Sequence, residues 1–186
     1  MFSKTRNLWR CYRTEQRGAA AVEFAIVVTL LTVPVLNVVD LAQYAWDRMQ
    51  TDNAAQAAVQ AAWTTCSTSA NLPATVGNNC SAMPAAVTRA ARSTSLGAGV
   101  SVTSTSEGYY CVKTSVTPNS LIYAGAVTSA KPSDCNQPGI GGSSSDVPGD
   151  YVLITTSYTY SSIFPAVSVA SRLTTPITRQ AWMRLG

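Results

Sequence analysis

The chain has 186 residues, enough for one folded domain with an appended segment, and only 12% of them are charged, against a usual share of about 25%. The net charge of +4 comes from residues 1–17, where five basic residues stand against Glu15, while the remaining charges cancel. This distribution argues against nucleic-acid binding, which calls for a basic face on the folded domain. The absence of histidine excludes Ser-His and Cys-His catalytic arrangements and histidine zinc sites.

Residues 19–39 are the first predicted element, a membrane-spanning helix. The run is almost continuously apolar and is about as long as the roughly 20 helical residues that cross a bilayer. Basic residues just upstream favour a cytoplasmic N-terminus. A cleaved signal peptide is the alternative interpretation. It is disfavoured because the sites after the run, near residues 41–43, are poor and because the sequence continues as a helix.

Residues 40–65 continue this helix beyond the membrane. They contain neither Gly nor Pro, and their eight alanines give a high helix propensity. Their apolar residues recur at helical spacing, which predicts an amphipathic half that packs on other elements. Pro34 is expected to kink the helix without ending it.

Residues 66–186 are predicted to form a domain outside the membrane. A loop leads to a short helix at 83–93, with Pro84 in its first turn. Two alternating segments at 100–106 and 109–116 are predicted to form a β-hairpin that turns at Glu107 and Gly108.

The rest of this domain is predicted to contain an irregular insertion and two more strands. The insertion covers residues 118–150, and the strands cover 151–161 and 173–183. Pro176 lacks a backbone donor, so the last strand should lie at an edge or begin at Ile177. Four antiparallel strands packed on the alanine-rich half of the helix make an α+β fold.

The chain offers no arrangement of residues that suggests catalysis or a cofactor. Glycines near residue 140 are followed by neither a lysine nor a helix, which excludes a phosphate-binding loop. Asp146 and Asp150 are close in sequence but are predicted to lie in a loop, and Asp47 and Asp52 do not share a helix face. We therefore expect a protein that is not an enzyme and binds no cofactor.

The five cysteines divide into one plus four. Cys11 lies in the basic N-terminal segment, where it is expected to stay reduced, whereas the other four follow the span. Four cysteines allow three pairings. Cys66–Cys80 and Cys111–Cys135 are favoured because each closes a loop near the end of a regular element. A four-cysteine zinc site is disfavoured because no Cys-x2-Cys pair is present, so no metal is expected.

Tyrosines are frequent in the predicted domain and could form an adhesive face. The alternative is that several of them fill half-buried positions of the sheet. The tyrosines concerned are Tyr109, Tyr110, Tyr123, Tyr151, Tyr158 and Tyr160.

The junction between the basic segment and the span carries a family resemblance. Gly18 is followed by four small or apolar residues and then by Glu23 and Phe24, within RGAAAVEFAIVVTLLTVPVL. This pattern resembles the processing site of type IV pilin-like proteins. It is most similar to the TadE-like minor pilins, or pseudopilins, of the tight-adherence (Flp) pilus. Residues 151–165 and the closing RQAWMR more weakly resemble the family's last strands, while residues 64–150 carry no family motif.

The resemblance implies a pilin-like fold and a defined processing step. A prepilin peptidase would cut between Gly18 and Ala19, removing residues 1–18 as a cytoplasmic leader. Glycine suits such a site because it lets a protease approach the backbone closely. The carboxylate of Glu23 would pair with the N-terminal amine of a neighbouring subunit or with its own, which offsets the cost of an acid in the membrane.

The same resemblance implies a structural role in assembly of a tight-adherence pilus. The implied partners are the prepilin peptidase, other pilin or pseudopilin subunits, the pilus assembly machinery and the membrane, with no nucleic acid. The chain would lie in the bacterial inner membrane with its N-terminus cytoplasmic and its C-terminal domain periplasmic, or in an extracellular pilus. The alternative function is an uncleaved, membrane-tethered binding or adhesion module.

Overall fold

The computed structural model describes residues 16–113, 120–136, 140, 142–143, 145–173 and 175–186. These form an α+β fold, as predicted. The elements are a long helix α1 (Gln16–Cys66), a short helix α2 (Met83–Ala91) and the strands β1 (Val100–Lys113), β2 (Ser120–Ala126), β3 (Gly149–Tyr158) and β4 (Ile177–Arg184). Apart from residues 16–18, the predicted leader lies outside the described residues, and so does Cys11.

The chain divides into two compact units. The helix unit contains the described residues up to Tyr44 together with Ser161–Leu173, and the sheet unit contains Ala45–Tyr160 and Thr174–Gly186. The helix α1 contributes its first half to the helix unit and its second half to the sheet unit.

The sheet has the strand order β2-β1-β3-β4, and all neighbouring strands are antiparallel. β4 lies at an edge and begins at Ile177, directly after Pro176. Both outcomes agree with the prediction from Pro176. Proline has no backbone N–H to donate, so it is tolerated at the start of a strand or on an edge strand.

The core of the sheet unit lies between the inner face of the sheet and the two helices. The alanine-rich half of α1 supplies Ala54, Ala55, Ala58 and Ala62, all fully buried, and they pack in one cluster with residues such as Ile154 of β3. Small side chains let helix and sheet backbones approach closely. A hydrogen bond of 3.1 Å from Thr156 Oγ1 in β3 to the Thr51 carbonyl of α1 shows this approach directly.

The predicted hairpin at Glu107 and Gly108 is wrong, because β1 continues through both residues. The Glu107 carboxylate accepts hydrogen bonds from the backbone amides of Ala74 and Thr75, at 2.7 and 2.6 Å. A Cβ on Gly108 would lie 2.9 Å from a ring atom of Tyr110. Glu107 therefore binds a distant loop, Gly108 makes room for the ring of Tyr110, and neither residue forms a turn.

Part of the predicted irregular insertion is regular structure. Residues 120–126 form β2, which pairs with β1 and takes the place of the second hairpin strand. The insertion was also predicted to hold Asp150 in a loop, but this residue lies in β3, which begins at Gly149.

Candidate functional site

Residues 18–35 of α1 form an apolar stretch in which every side chain is exposed, with no other described part of the chain packed over it. Its most apolar stretch is wholly unburied, and from Gly18 the helix is long and apolar enough to cross a membrane. Phe24 is 71% exposed and Leu30 is 68% exposed. A core helix of a water-soluble domain would bury such side chains, so this surface indicates a membrane anchor.

Polar side chains within the apolar half bond to the helix itself. Thr29 Oγ1 donates to the Ala25 carbonyl at 2.8 Å, and Thr32 Oγ1 donates to the Val28 carbonyl at 2.7 Å. Such bonds to the preceding turn satisfy hydroxyl groups where no water is available. The two threonines are therefore compatible with a span.

Gly18 lies inside α1, two residues after the helix begins at Gln16. A Cβ added to Gly18 would meet nothing within 4 Å among the described residues, and the residue has no positive φ. The fold of the described chain therefore places no demand for glycine at this position. A demand that comes from outside the fold, such as close approach by a processing enzyme, fits this observation.

Glu23 lies one and a half turns further along the exposed apolar helix and is itself exposed. Among the described residues, its carboxylate has neither a hydrogen bond nor an ion pair. An isolated acid at membrane depth costs roughly 2.5 kcal/mol or more. A cation that lies outside the described residues of this chain, on a neighbouring subunit or at a processed N-terminus, would offset that cost.

The end of the predicted span is held by tertiary contacts within the helix unit. Asn37 Nδ2 donates to the Val167 carbonyl at 3.0 Å, and Asn37 Oδ1 accepts from the Val169 amide at 2.7 Å. Asp40 Oδ1 and Oδ2 accept from the amides of Ile163 and Phe164 at 3.0 and 3.2 Å. A cleaved signal peptide has no reason to make such contacts, so they favour the anchor.

The four cysteines after the span form two disulfides, Cys66–Cys80 and Cys111–Cys135, which are the pairs that the sequence favours. Their Cα atoms are 5.8 and 5.9 Å apart, well within the range that the bond requires. The first closes a loop at the end of α1, and the second links β1 to a loop residue after β2. Among the described residues, no three His, Cys, Asp or Glu side chains are grouped to bind a metal.

The six tyrosines considered for an adhesive face do not share one surface. Tyr109 and Tyr160 are buried, and Tyr158 packs against the core. The other three lie on the outer face of the sheet together with Trp182, a residue that sequence reasoning missed. Tyr110 is at their centre, with its ring centroid 5.4 Å from that of Tyr123, 6.0 Å from Tyr151 and 5.0 Å from Trp182.

These four rings, named here the aromatic patch, come from all four strands. Tyr123 is 55% exposed and Trp182 is 41% exposed. Edge-to-face contacts fix their orientation. The only sequence signal for Trp182 is its position in an alternating strand, and its face becomes known only from the pairing of β4 with β3.

An acid pair lies on the inner face of the sheet, where sequence reasoning did not expect one. Asp150 is only 4% exposed, and its Oδ1 has no hydrogen-bond partner among the described residues. Desolvation, followed by the charge of Glu107 and a hydrogen bond with that residue, raises the pKa of Asp150 to about 7, against a lowering influence from Lys131.

A raised pKa in a buried acid is also found in catalytic sites. Here, however, Glu107 is committed to the loop at Ala74 and Thr75. The backbone of Asp150 accepts from the Leu185 amide and donates to the Gly186 carbonyl, at 2.7 and 2.9 Å. The pair thus joins three parts of the chain, which is a structural role.

Comparison with protein-family models gives one match, to the family described as TadE-like protein, over residues 18–60. No curated protein and no solved structure matches the chain significantly. The matched residues begin at Gly18 and include Glu23, Phe24, Asn37, Asp40 and much of the alanine-rich half of α1. The resemblance noted from the sequence is therefore confirmed, and this chain carries a TadE-like segment at residues 18–60.

Proposed function

We propose that this chain is a minor pilin, or pseudopilin, of a tight-adherence pilus system, and that a prepilin peptidase processes it after Gly18. The observation that carries the proposal is the match of residues 18–60 to TadE-like proteins on a helix whose apolar surface is bare. The family match itself indicates involvement in the tight-adherence pilus system. Processing, the individual partners and the topology are parts of the proposal.

Two features of the junction support processing at Gly18. The described residues leave open space around Gly18, so their packing does not require a glycine there. Cleavage would create a free amine at Ala19, four residues before the Glu23 carboxylate. The new cation would offset the cost of the acid in the membrane, within one subunit or between two.

Assembly through α1 is supported by the surface of its first half. Ala21 and Ala25 line a shallow groove with Val22, Ile26 and Thr29. Small residues four positions apart let helices approach closely in lipid, where packing drives association. Together with the match to TadE-like proteins, this surface supports our proposal that the chain acts as a structural subunit.

The aromatic patch favours a second candidate function, an uncleaved membrane-tethered binding module. Exposed Tyr and Trp side chains are enriched where proteins bind partners. In this alternative the helix only anchors the patch, and Gly18 has no role.

The N-terminus of the membrane-extracted chain separates the two functions. We expect intact mass and terminal-peptide analysis to show a start at Ala19 only when a prepilin peptidase is co-expressed. Gly18→Leu should abolish this cleavage, because the side chain blocks approach to the backbone. Ala25→Leu, an equally bulky change on the same exposed helix, should leave it intact.

An N-terminus that remains at Met1 with and without the peptidase would contradict the pilin proposal and favour the tethered module. A start near residue 43 would instead mean a secreted protein and would contradict both.

A further inference from the structure

The segment Ser161–Leu173 differs from an ordinary surface loop in that it exposes large apolar side chains. Three of its large apolar side chains point outward, with Ile163 54%, Val167 43% and Val169 57% exposed. Pro165 and Ala166 are exposed as well. Exposed apolar patches mark contacts with partners or membranes, so this surface indicates a contact of one of these two kinds.

Many backbone groups of the same segment are hydrogen-bonded. Asn37 and Asp40 of α1 bind the amides of Ile163, Phe164 and Val169 and the carbonyl of Val167. Further amides donate within the segment: those of residues 167 and 168 to the Phe164 carbonyl, that of residue 170 to Ser168 Oγ and that of residue 173 to the Ala170 carbonyl. Irregular backbone is tolerated at membrane depth only when its polar groups are bonded in this way.

The position of the segment along α1 agrees with the thickness of a bilayer. At 1.5 Å per helical residue, Asn37 lies about 27 Å and Asp40 about 31 Å beyond Ala19. The hydrocarbon core is about 30 Å thick. A helix that enters the membrane at Ala19 therefore places residues 163–169 at the outer boundary of that core.

We propose that Ser161–Leu173 is a second membrane contact, which inserts Ile163, Val167 and Val169 into the outer interfacial layer of the bilayer that α1 crosses. The exposed Arg172, at the end of the same segment, is placed to meet anionic headgroups. This proposal rests on the membrane crossing of α1, which is part of the proposed function, but not on processing or pilus assembly.

The proposal gives Asn37 and Asp40 a reason to interrupt the apolar run. Both are polar residues at the end of a span, where they shorten its hydrophobic length. As ligands for the backbone of residues 163–169 they make it possible for a loop to lie in the interface. The lipid-facing surface of the helix unit then consists of the apolar first half of α1 and this loop.

Depth-dependent fluorescence quenching tests the proposal on the full chain in vesicles of phosphatidylethanolamine and phosphatidylglycerol. Val167→Cys in a Cys11→Ser background is labelled with an environment-sensitive dye, and the lipids carry a nitroxide quencher either near the headgroup or near the chain end. We expect the label at residue 167 to lose most of its fluorescence with the shallow quencher and less with the deep one. Leu30→Cys, within the span, should respond most to the deep quencher, and Tyr123→Cys, on the sheet, to neither.

A label at residue 167 that behaves like the one at residue 123, while residue 30 is quenched, would overturn this inference and leave the anchor intact. Protection at residue 167 that resists both quenchers and grows with the protein-to-lipid ratio would mean that a second copy covers the segment, which also overturns it. Absence of quenching at residue 30 would instead overturn the membrane crossing on which the proposed function depends.

Discussion

The helix unit and the sheet unit differ in where they place apolar side chains and polar groups. In the sheet unit, Ile154 and the alanines of α1 face inward and are buried. In the helix unit, Asn37 and Asp40 hold the backbone of residues 163–169. The side chains of Ile163, Val167 and Val169 in that segment are exposed. The first arrangement suits water, and the second suits lipid.

The comparison shows that one helix can belong to both environments. Along α1, alanine and threonine face the core after Tyr44, whereas leucine, valine and phenylalanine cover the whole circumference before Pro34. The change in composition marks the change in solvent. Stability in the sheet unit should therefore depend on packing, and order in the segment 161–173 should depend on a few hydrogen bonds.

The largest expected effect is that of Ile154→Ala in the core of the sheet unit. Ile154 is fully buried, and truncation of such a side chain costs about 2–5 kcal/mol. Denaturant unfolding in detergent, followed by circular dichroism, measures this loss. Leu153→Ala, at the half-buried neighbouring position that points to the outer face, should cost clearly less.

Hydrogen exchange in the same Ile154→Ala variant sharpens the comparison. Amides of β3 and β4 should exchange faster, while those of residues 163–169 should keep their protection. An equal rise in both regions would show that the two units unfold as one body, and the distinction drawn between them would fail.

The second effect is a dependence of the sheet unit on pH. The pKa of Asp150 is raised from 3.8 to about 7 in the folded chain, chiefly by desolvation. The folded state therefore holds a proton that the unfolded state has lost between these pH values, so this group's contribution to stability falls as the pH rises from about 4 to about 7.

The difference between wild type and Asp150→Asn isolates this contribution. The variant mimics the protonated acid, and we expect it to remove the decline and to be at least as stable as wild type at pH 7. Asp146→Asn, at an exposed position, should keep the decline. A wild-type unfolding free energy that rises over this range relative to Asp150→Asn would contradict the burial argument.

The smallest effect is local and belongs to the helix unit. Asp40→Ala removes the acceptor of the two partly buried amides of Ile163 and Phe164, and loss of a hydrogen bond to a charged group costs about 1.5–3 kcal/mol. We expect the hydrogen-exchange rates of the amides of residues 163–169 to rise about tenfold or more, because about 1.4 kcal/mol corresponds to a tenfold change.

Asp52→Ala, on the sheet-unit half of α1, should leave exchange in residues 163–169 unchanged. If Asp40→Ala instead lowers the global unfolding free energy of the sheet unit by as much as Ile154→Ala, the assignment of Asp40 to a local role is wrong.

Sequence patterns predicted what depends on neighbours along the chain. The period of the apolar residues and the alanine content defined α1, and the alternation in residues 151–161 located β3. Pro176 predicted the start of β4 because proline lacks the backbone N–H that strand pairing needs. The family motif at Gly18, Glu23 and Phe24 is likewise a local pattern.

Apart from the missed strand β2 and the start of β3, what sequence reasoning missed concerns contacts between distant residues. Glu107 and Gly108 look like a turn, but the acid binds a loop 32–33 residues away and the glycine makes room for a ring. The bonds from Asn37 and Asp40 reach across 123–132 residues. Trp182 joins the aromatic patch only through the register of β4. No periodicity carries such information, because it depends on how the elements meet.

If the chain acts as the pilus subunit proposed above, its two disulfides limit how far it extends under tension. A load carried along α1 reaches Cys66 and passes through the covalent bond to Cys80, so the intervening loop cannot lengthen. With a sequence separation of 14 and Cα atoms 5.8 Å apart, the bond withholds about 43 Å of the roughly 49 Å that the extended segment would span at about 3.5 Å per residue. The Cys111–Cys135 bond limits the extension of the segment that contains β2 in the same way. Under reducing conditions both lengths become available, and a subunit that was nearly inextensible at these points becomes able to yield.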